Sequence, residues 1–253
     1  MANPSPSTMA IPRVSIAKRR SGDVMIRDHH TIIPVLDHGH VRLVDHMGSD
    51  LSVVRAARVS YNAEWRSGED DGKDEKLIRY LLKNRHTSPF EHVVFTFDIK
   101  CPIFIARQWH RHRTWSFNEV SARYTELPAE YYVPKPEHIG VQAKDNKQAR
   151  DHSENPDSHV IASLIDDWCN DAFGLYQQLL SFGTPRELAR SVLPVNTYTH
   201  FFGTIDLHNL LHFLGLRLHP HAQWEIQQYA QAMLDLAHPI VPHTIAAFEE
   251  MNQ

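Results

Sequence analysis

The sequence predicts an α+β fold, mostly helical, with a small sheet. Three observations carry that reading. Most of the chain repeats its apolar residues at helical spacing. One segment alternates with a period of two, as a half-buried strand does. Apolar residues make up 42% of the 253 positions, enough for a real core. A length of this size suits one large domain or two small ones.

Taken in order, residues 1–22 hold prolines and serines and read as a flexible tail, leaving 23–253 as a single domain. DLSVVRAARVS (50–60) reads as a helix, and KLIRYLLKNRH (76–86) carries Leu77, Ile78, Leu81 and Leu82 on one helical face. VFTFDIK (94–100) sets Phe95, Phe97 and Ile99 against Thr96, Asp98 and Lys100, a strand with one buried face. Pro102 is placed to start a helix through IFIARQWHR, with Gln108 and Arg111 three apart on one face. Residues 136–158 are polar and charged, a surface insertion. A long amphipathic helix follows over 159–182, with Ile161, Leu164, Ile165, Trp168 and Phe173. In TPRELARSVLP, Thr184 is a candidate N-cap, Pro185 sits at the first helical position, Glu187 completes a capping box and Pro194 ends the helix. Residues 207–219 and 221–238 give two more helices.

Charge and cysteine content narrow the function. With 26 basic and 30 acidic residues, a net of −4, the chain has no general basic face for nucleic acid. Cys101 and Cys169 are too few for a disulfide framework and read as structural cysteines of a reducing compartment. No apolar run approaches the ~18 residues of a membrane span, and the N-terminus lacks a signal-peptide core. The expectation is a cytoplasmic protein.

RHRTWSFNEVSARY (111–124) packs three arginines, a glutamate, two serines, a histidine and an asparagine into one stretch. Each has a bland reading. Ser116 and Glu119 have capping-box spacing, Arg123 can pair with Glu119 four residues back, and Arg111 and Arg113 can be a solvated pair. Together they suggest an anion site, with guanidinium forks in a loop before a new helix N-terminus. Two or three such contacts, at roughly 1.5–3 kcal/mol each, hold a phosphate at micromolar strength. No P-loop or Rossmann glycine pattern is present among the ten glycines.

The same stretch resembles the signature of flavin-dependent thymidylate synthases: Arg-His-Arg, seven residues, then Ser, here Arg111-His112-Arg113 and Ser121. DLSVVRAARVSY, TSPFEHVVFTFDIKCPIFIARQWHRHR, ARSVLPVNTYTHFF and NLLHFLGLRLHPHAQWEIQQYA are also similar to that family. The resemblance runs in the family's order from about residue 33 to 250. It implies a family-specific α/β fold with a small mixed sheet flanked by helices. It further implies reductive methylation of dUMP to dTMP, with 5,10-methylenetetrahydrofolate as carbon donor, NADPH-reduced FAD as hydride source and tetrahydrofolate released. A homotetramer with active sites shared between subunits comes with it, and so does the lack of a Rossmann loop.

Residue by residue, the resemblance assigns dUMP contacts to Gln108, Arg111, Glu119, Ser121 and Arg123, with backbone groups at Val120 and Ala122. Arg190 matches a further phosphate or nucleotide contact, expected from a neighbouring subunit, and Arg217 the arginine beside the pyrimidine. FAD contacts map to Ser60, Ser88, Arg111, His112, Arg113, Glu119, Asp206, His208 and His212. His86 matches a histidine beside flavin and folate, and is equally explained as a histidine at a helix C-terminus. Asp206 and His208 stand where the family often has Asn and Arg. Asp206 reads as well as an N-cap of DLHNLL as a ligand contact. Ser121 has no Asp/His relay beside it in sequence, so it is assigned to positioning substrate.

Three other readings compete. A metal site could use some of the 19 histidines, with His208/His212 at helical spacing and His219 and His221 close by, but H-E-x-x-H and cysteine pairs are absent and no metal is expected. A non-catalytic nucleotide-binding module would keep the arginines without needing Arg217, His86 and the flavin positions. RNA binding by RHRTWSF is disfavoured by the net negative charge.

Overall fold

The computed structural model describes residues 31–144, 150–151 and 153–251; the expected tail over 1–22 lies outside them. The chain opens with a hairpin, β1 (Ile32–Val35) and β2 (Gly39–Met47). Gly39 is needed there: a Cβ at this position would lie 2.1 Å from the Tyr229 hydroxyl oxygen. Helix α1 (Asp50–Val59) follows, then α2 (Asp71–Lys83). The second helix starts before the periodic stretch because Asp70 caps it, its carboxylate accepting the Lys73 N–H at 3.1 Å. A 3-10 turn over Ser88–His92 leads into β3 (Val94–Pro102), and α3 (Ile103–Trp109) comes next. Pro102 precedes the first turn of α3, where its missing N–H costs nothing.

The second half contains β4 (Ser116–Glu119), the short hairpin β5 (Val141–Gln142) and β6 (Arg150–Asp151), and α4 (Ser158–Ser181). The one-turn α5 (Arg186–Ala189), β7 (Tyr198–Asp206), α6 (Leu207–Arg217), α7 (Trp224–Ala237) and α8 (Pro242–Met251) complete it.

The main sheet has five strands in the order β1-β2-β3-β7-β4. Every pairing is antiparallel, so the sheet is not mixed. Strand alternation sorts its two faces. Phe95, Phe97, Ile99, Cys101, Phe201 and Ile205 are buried on one face with Leu210, Phe213 and Leu214 of α6 and Ile226, Tyr229 and Met233 of α7 in one continuous core. Trp109 sits inside it, stacked on Phe213 at 4.9 Å and edge-on to Phe201 at 5.6 Å. The alternate positions His40, Arg42, Thr96, Asp98, Lys100, His200, Phe202 and Thr204 make the other, polar face.

Four local expectations change. Ser116 and Glu119 do not cap a helix: their segment is β4, paired with the free edge of β7, and Phe117 stacks on Trp115 and packs edge-on to Phe201. The anion-binding helix N-terminus expected after Arg113 is therefore absent there. Helix α3 ends at Trp109, so Arg111 lies in the following turn rather than on a helix face with Gln108. In TPRELARSVLP the helix starts at Arg186, one residue later than expected, with no side-chain cap. Pro185 is held with ψ at 137° outside the helix, and Glu187 faces Arg123 instead of completing a box. Finally, α4 buries Cys169, Ala172, Phe173 and Tyr176, while Val160, Leu164, Trp168 and Leu175 lie exposed. Its apolar surface is wider than the side packed against the rest of the chain.

Candidate functional site

The Arg-His-Arg turn is seated on α6 by its central residue. His112 is 8% exposed, with its ring 4.9 Å from Phe213 and 6.1 Å from His212. Burial first, then the adjacent Arg217 and His212, push its pKa down to about 4. Arg217 Nε donates to His112 Nε2 at 2.9 Å, which requires that nitrogen to be unprotonated. The two facts agree: at neutral pH His112 is a neutral acceptor. A second bond runs from Arg217 Nη2 to the Gln108 carbonyl at 3.3 Å. Burial lowers the Arg217 pKa without taking its charge away. The guanidinium is thus fixed by two neutral acceptors, with no carboxylate paired to it among the described residues.

Gln108 is held in turn. Its side-chain amide donates to Gln223 Oε1 at 2.5 Å, and Gln223 donates to Glu225 Oε2 at 2.9 Å. Glu225 is 2% exposed and receives Arg150 Nη2 on both oxygens, at 2.7 and 2.8 Å. Tyr132 adds a hydroxyl donor at 3.3 Å. Arg150 belongs to the 136–158 insertion, so that polar segment anchors the floor under Gln108.

Arg111 and Arg113 flank His112 on the exposed side and form no ion pair or side-chain hydrogen bond among the described residues. Further along, Glu119 accepts the Thr199 hydroxyl at 2.5 Å, and the Val120 N–H reaches the His200 carbonyl at 2.9 Å. Ser121 Oγ accepts the Arg123 N–H at 3.3 Å. Arg123 pairs with Glu187 at 3.5 Å, not with Glu119, and Arg190 Nε donates to the Glu187 carbonyl at 3.4 Å. Glu187 thus meets Arg123 through its carboxylate and Arg190 through its carbonyl. Ala122 is buried beneath this turn. No base lies in hydrogen-bond reach of Ser121 among the described residues, which leaves it unactivated.

The remaining positions divide. Asp206 caps α6: one carboxylate oxygen accepts the Asn209 N–H at 3.0 Å and the other the Asn209 side chain at 2.6 Å. His208 and His212 follow on that helix. Ser60, at the end of α1, and Ser88 and His86, at the 3-10 turn, are exposed; α1 packs on that turn. Among the described residues, no hydrogen bond, ion pair or ring contact joins these three to the arginine turn.

The chain matches the family model described as thymidylate synthase complementing protein over residues 42–243. A flavin-dependent thymidylate synthase from Thermus thermophilus is 53% identical over 218 residues, covering 86% of this chain and 78% of that protein. The chain belongs to the flavin-dependent thymidylate synthase family. A relative of the same description from Thermotoga neapolitana is 48% identical, over 85% of this chain and 93% of its own. The crystal structure of a UMP/dUMP methylase PolB from Streptomyces cacaoi, bound with 5-Br dUMP, superposes with a TM-score of 0.77. It is 40% identical and covers 86% of this chain and 97% of that one.

The family implies FAD, and the donor set here fits its charged part. Arg111 and Arg113 offer two guanidinium forks with no partner among the described residues, the chemistry a diphosphate needs. Asp206 does not add a repulsive charge in search of a partner, because both its oxygens are engaged at the α6 N-terminus.

Gln223, Glu225, Arg150 and Thr199 escaped the sequence reading. Gln223 and Glu225 lie in HAQWE, a stretch already similar to the family, and a polar pair opening an apolar helix was the available signal.

Proposed function

We propose that the chain forms dTMP by reductive methylation of dUMP, with 5,10-methylenetetrahydrofolate as carbon donor and NADPH as reductant. Bound FAD supplies the hydride in this chemistry. The observation that carries the reading is the Arg217 cation, half-buried against neutral His112 and the Gln108 carbonyl, with its other donors unanswered among the described residues.

That arrangement suits the pyrimidine. Attack by uracil C5 needs charge built up on the ring's N3–C4–O4 and O2 side. A fixed guanidinium beside N3 and O2 stabilises the anionic form of the ring. Neutral His112 is important here, since its Nε2 accepts the Arg217 Nε–H and a protonated ring would lose that acceptor and repel the guanidinium. Gln108, locked by Gln223, orients the base. Arg111 and Arg123, with backbone groups at Val120 and Ala122, bind the phosphate and sugar, and Ser121 positions rather than attacks. Arg113 and His112 hold the FAD side, with Ser60, Ser88, Glu119, His208 and His212 completing it and His86 placed towards folate.

Residues 23–253 act as one catalytic domain in this reading, assembled as a homotetramer. Exposed Val160, Leu164, Trp168 and Leu175 on α4 support a partner chain there. The absence of any helix long and apolar enough to cross a membrane among the described residues, and two buried free cysteines, support a cytoplasmic setting.

The test is product formation. Purified protein with dUMP, methylenetetrahydrofolate, NADPH and FAD should yield dTMP and tetrahydrofolate in equal amounts under anaerobic conditions. Dihydrofolate as the folate product, or no dTMP, would overturn the proposal.

A further inference from the structure

We propose that His40, Asp98 and His200 form a divalent-cation site, of zinc-like N2O chemistry, on the polar face of the sheet and apart from the nucleotide site. The three residues lie on β2, β3 and β7, which are adjacent in the sheet. Strand register fixes their meeting. Lys100 pairs with both His40 and His200, while Asp98 pairs with Arg42 and Phe202. The two imidazoles therefore flank Asp98 diagonally, one from each side. One ligand atom from each residue lies within 4.8 Å of the others. His40 Nε2 is 3.4 Å from Asp98 Oδ1, and His200 Nε2 contacts the same oxygen. Tetrahedral zinc, with bonds near ~2.0–2.1 Å, spaces its ligands about 3.3 Å apart. The triangle needs only local side-chain adjustment to take an ion in place of the His200–Asp98 hydrogen bond.

The surroundings resemble a held ligand set. Asp98 is buried, and its other oxygen receives Arg42 Nε at 3.0 Å and Nη2 at 2.6 Å. That pair orients the carboxylate and leaves Oδ1 for both histidines, as outer hydrogen bonds do around metal ligands. The His200 side chain is 47% exposed, giving an entry path and an open fourth position for water. Arg42 and Lys100 are the opposing charges. Lys100 is neutralised by Glu130 at 2.7 Å, whereas Arg42 shares the Asp98 charge and weakens the site. Bound metal would staple three strands of the central sheet.

The experiment uses tag-free, chelator-stripped full chain and zinc or cobalt(II) alone, followed by equilibrium dialysis with elemental analysis. Wild type should take up one equivalent per chain more than His200→Ala or His40→Ala, with at least a tenfold loss of affinity in each variant. Its melting temperature should rise by roughly 5 °C at a hundredfold excess over Kd, and the variants' should not. Equal uptake by wild type and variants would place the metal on other histidines and overturn the proposal, as would no uptake. If the variants do not fold, zinc-soaked wild-type crystals decide. An anomalous peak between the three side chains supports the site, and peaks only elsewhere reject it.

Discussion

Two polar regions touch at Gln108 and could hardly differ more. Around Glu225 every charge is answered from within the chain: Arg150 takes both oxygens, and Tyr132 and Gln223 add donors. Around His112 the opposite holds. Arg217 rests on two neutral acceptors, and Arg111 and Arg113 have no internal partner among the described residues. Both regions are dense in polar side chains, so density alone does not mark a site. The distinguishing feature is whether the groups satisfy one another. A self-satisfied network is scaffold, and an unanswered set of cations on a rigid floor is a place for an anion.

The comparison breaks most directly at Arg150. Arg150→Ala leaves Glu225 buried without a cation, a defect costing up to about 3–5 kcal/mol. Denaturant unfolding should show that loss, and a variant as stable as wild type would make the network ornamental. Next comes Arg217→Ala, which should lower kcat by about 10²–10³-fold, the usual cost of one preorganised charge-stabilising donor, while FAD stays bound. Unchanged turnover would end its assigned role. Arg111→Ala removes a charged hydrogen-bonding group worth roughly 1.5–3 kcal/mol, so dUMP binding by calorimetry should weaken roughly ten- to hundredfold, with thermal stability nearly constant.

A pH titration sharpens the contrast from the other side. The His112 pKa is depressed to about 4 in the folded chain, against an ordinary value of 6.5. Between those values the unfolded state binds the extra proton, so stability falls as pH drops from 6.5 towards 4. The contribution is of order 1–3 kcal/mol, and His112→Phe should flatten that part of the stability profile. The smallest effect is expected for Ser121→Ala, within about tenfold of wild-type turnover because no base activates the hydroxyl. Complete loss with dUMP still bound would restore a nucleophilic role.

How far the sequence reached follows the same divide between local and distant interactions. The alternation of Phe95, Phe97 and Ile99 and the cap at Asp206 are local, and both stand in the structure. Ser116 and Glu119 were open to misreading because their spacing is a local helix signal, overridden by the edge of β7, some eighty residues away in sequence. Periodicity in α4 identified the helix but not its covered side: Leu164 and Trp168 face outward, and Cys169 and Tyr176 inward. Arg150 with Glu225, and His40 with Asp98 and His200, are invisible to any local pattern, because each meeting depends on strand register or on the insertion folding back. The arginine turn itself was legible because its chemistry is concentrated in one segment, yet its supports, Gln223 and Glu225, lie a hundred residues on.

The central claim is that the unanswered cations around His112 serve a flavin and a nucleotide together. The direct measurement is the visible spectrum of FAD-loaded protein with dUMP, before and after NADPH under anaerobic conditions. An oxidised-flavin band near ~450 nm that bleaches on addition is the predicted result. A colourless protein that takes up no added FAD would contradict it, leaving the arginines as a nucleotide clamp without redox chemistry.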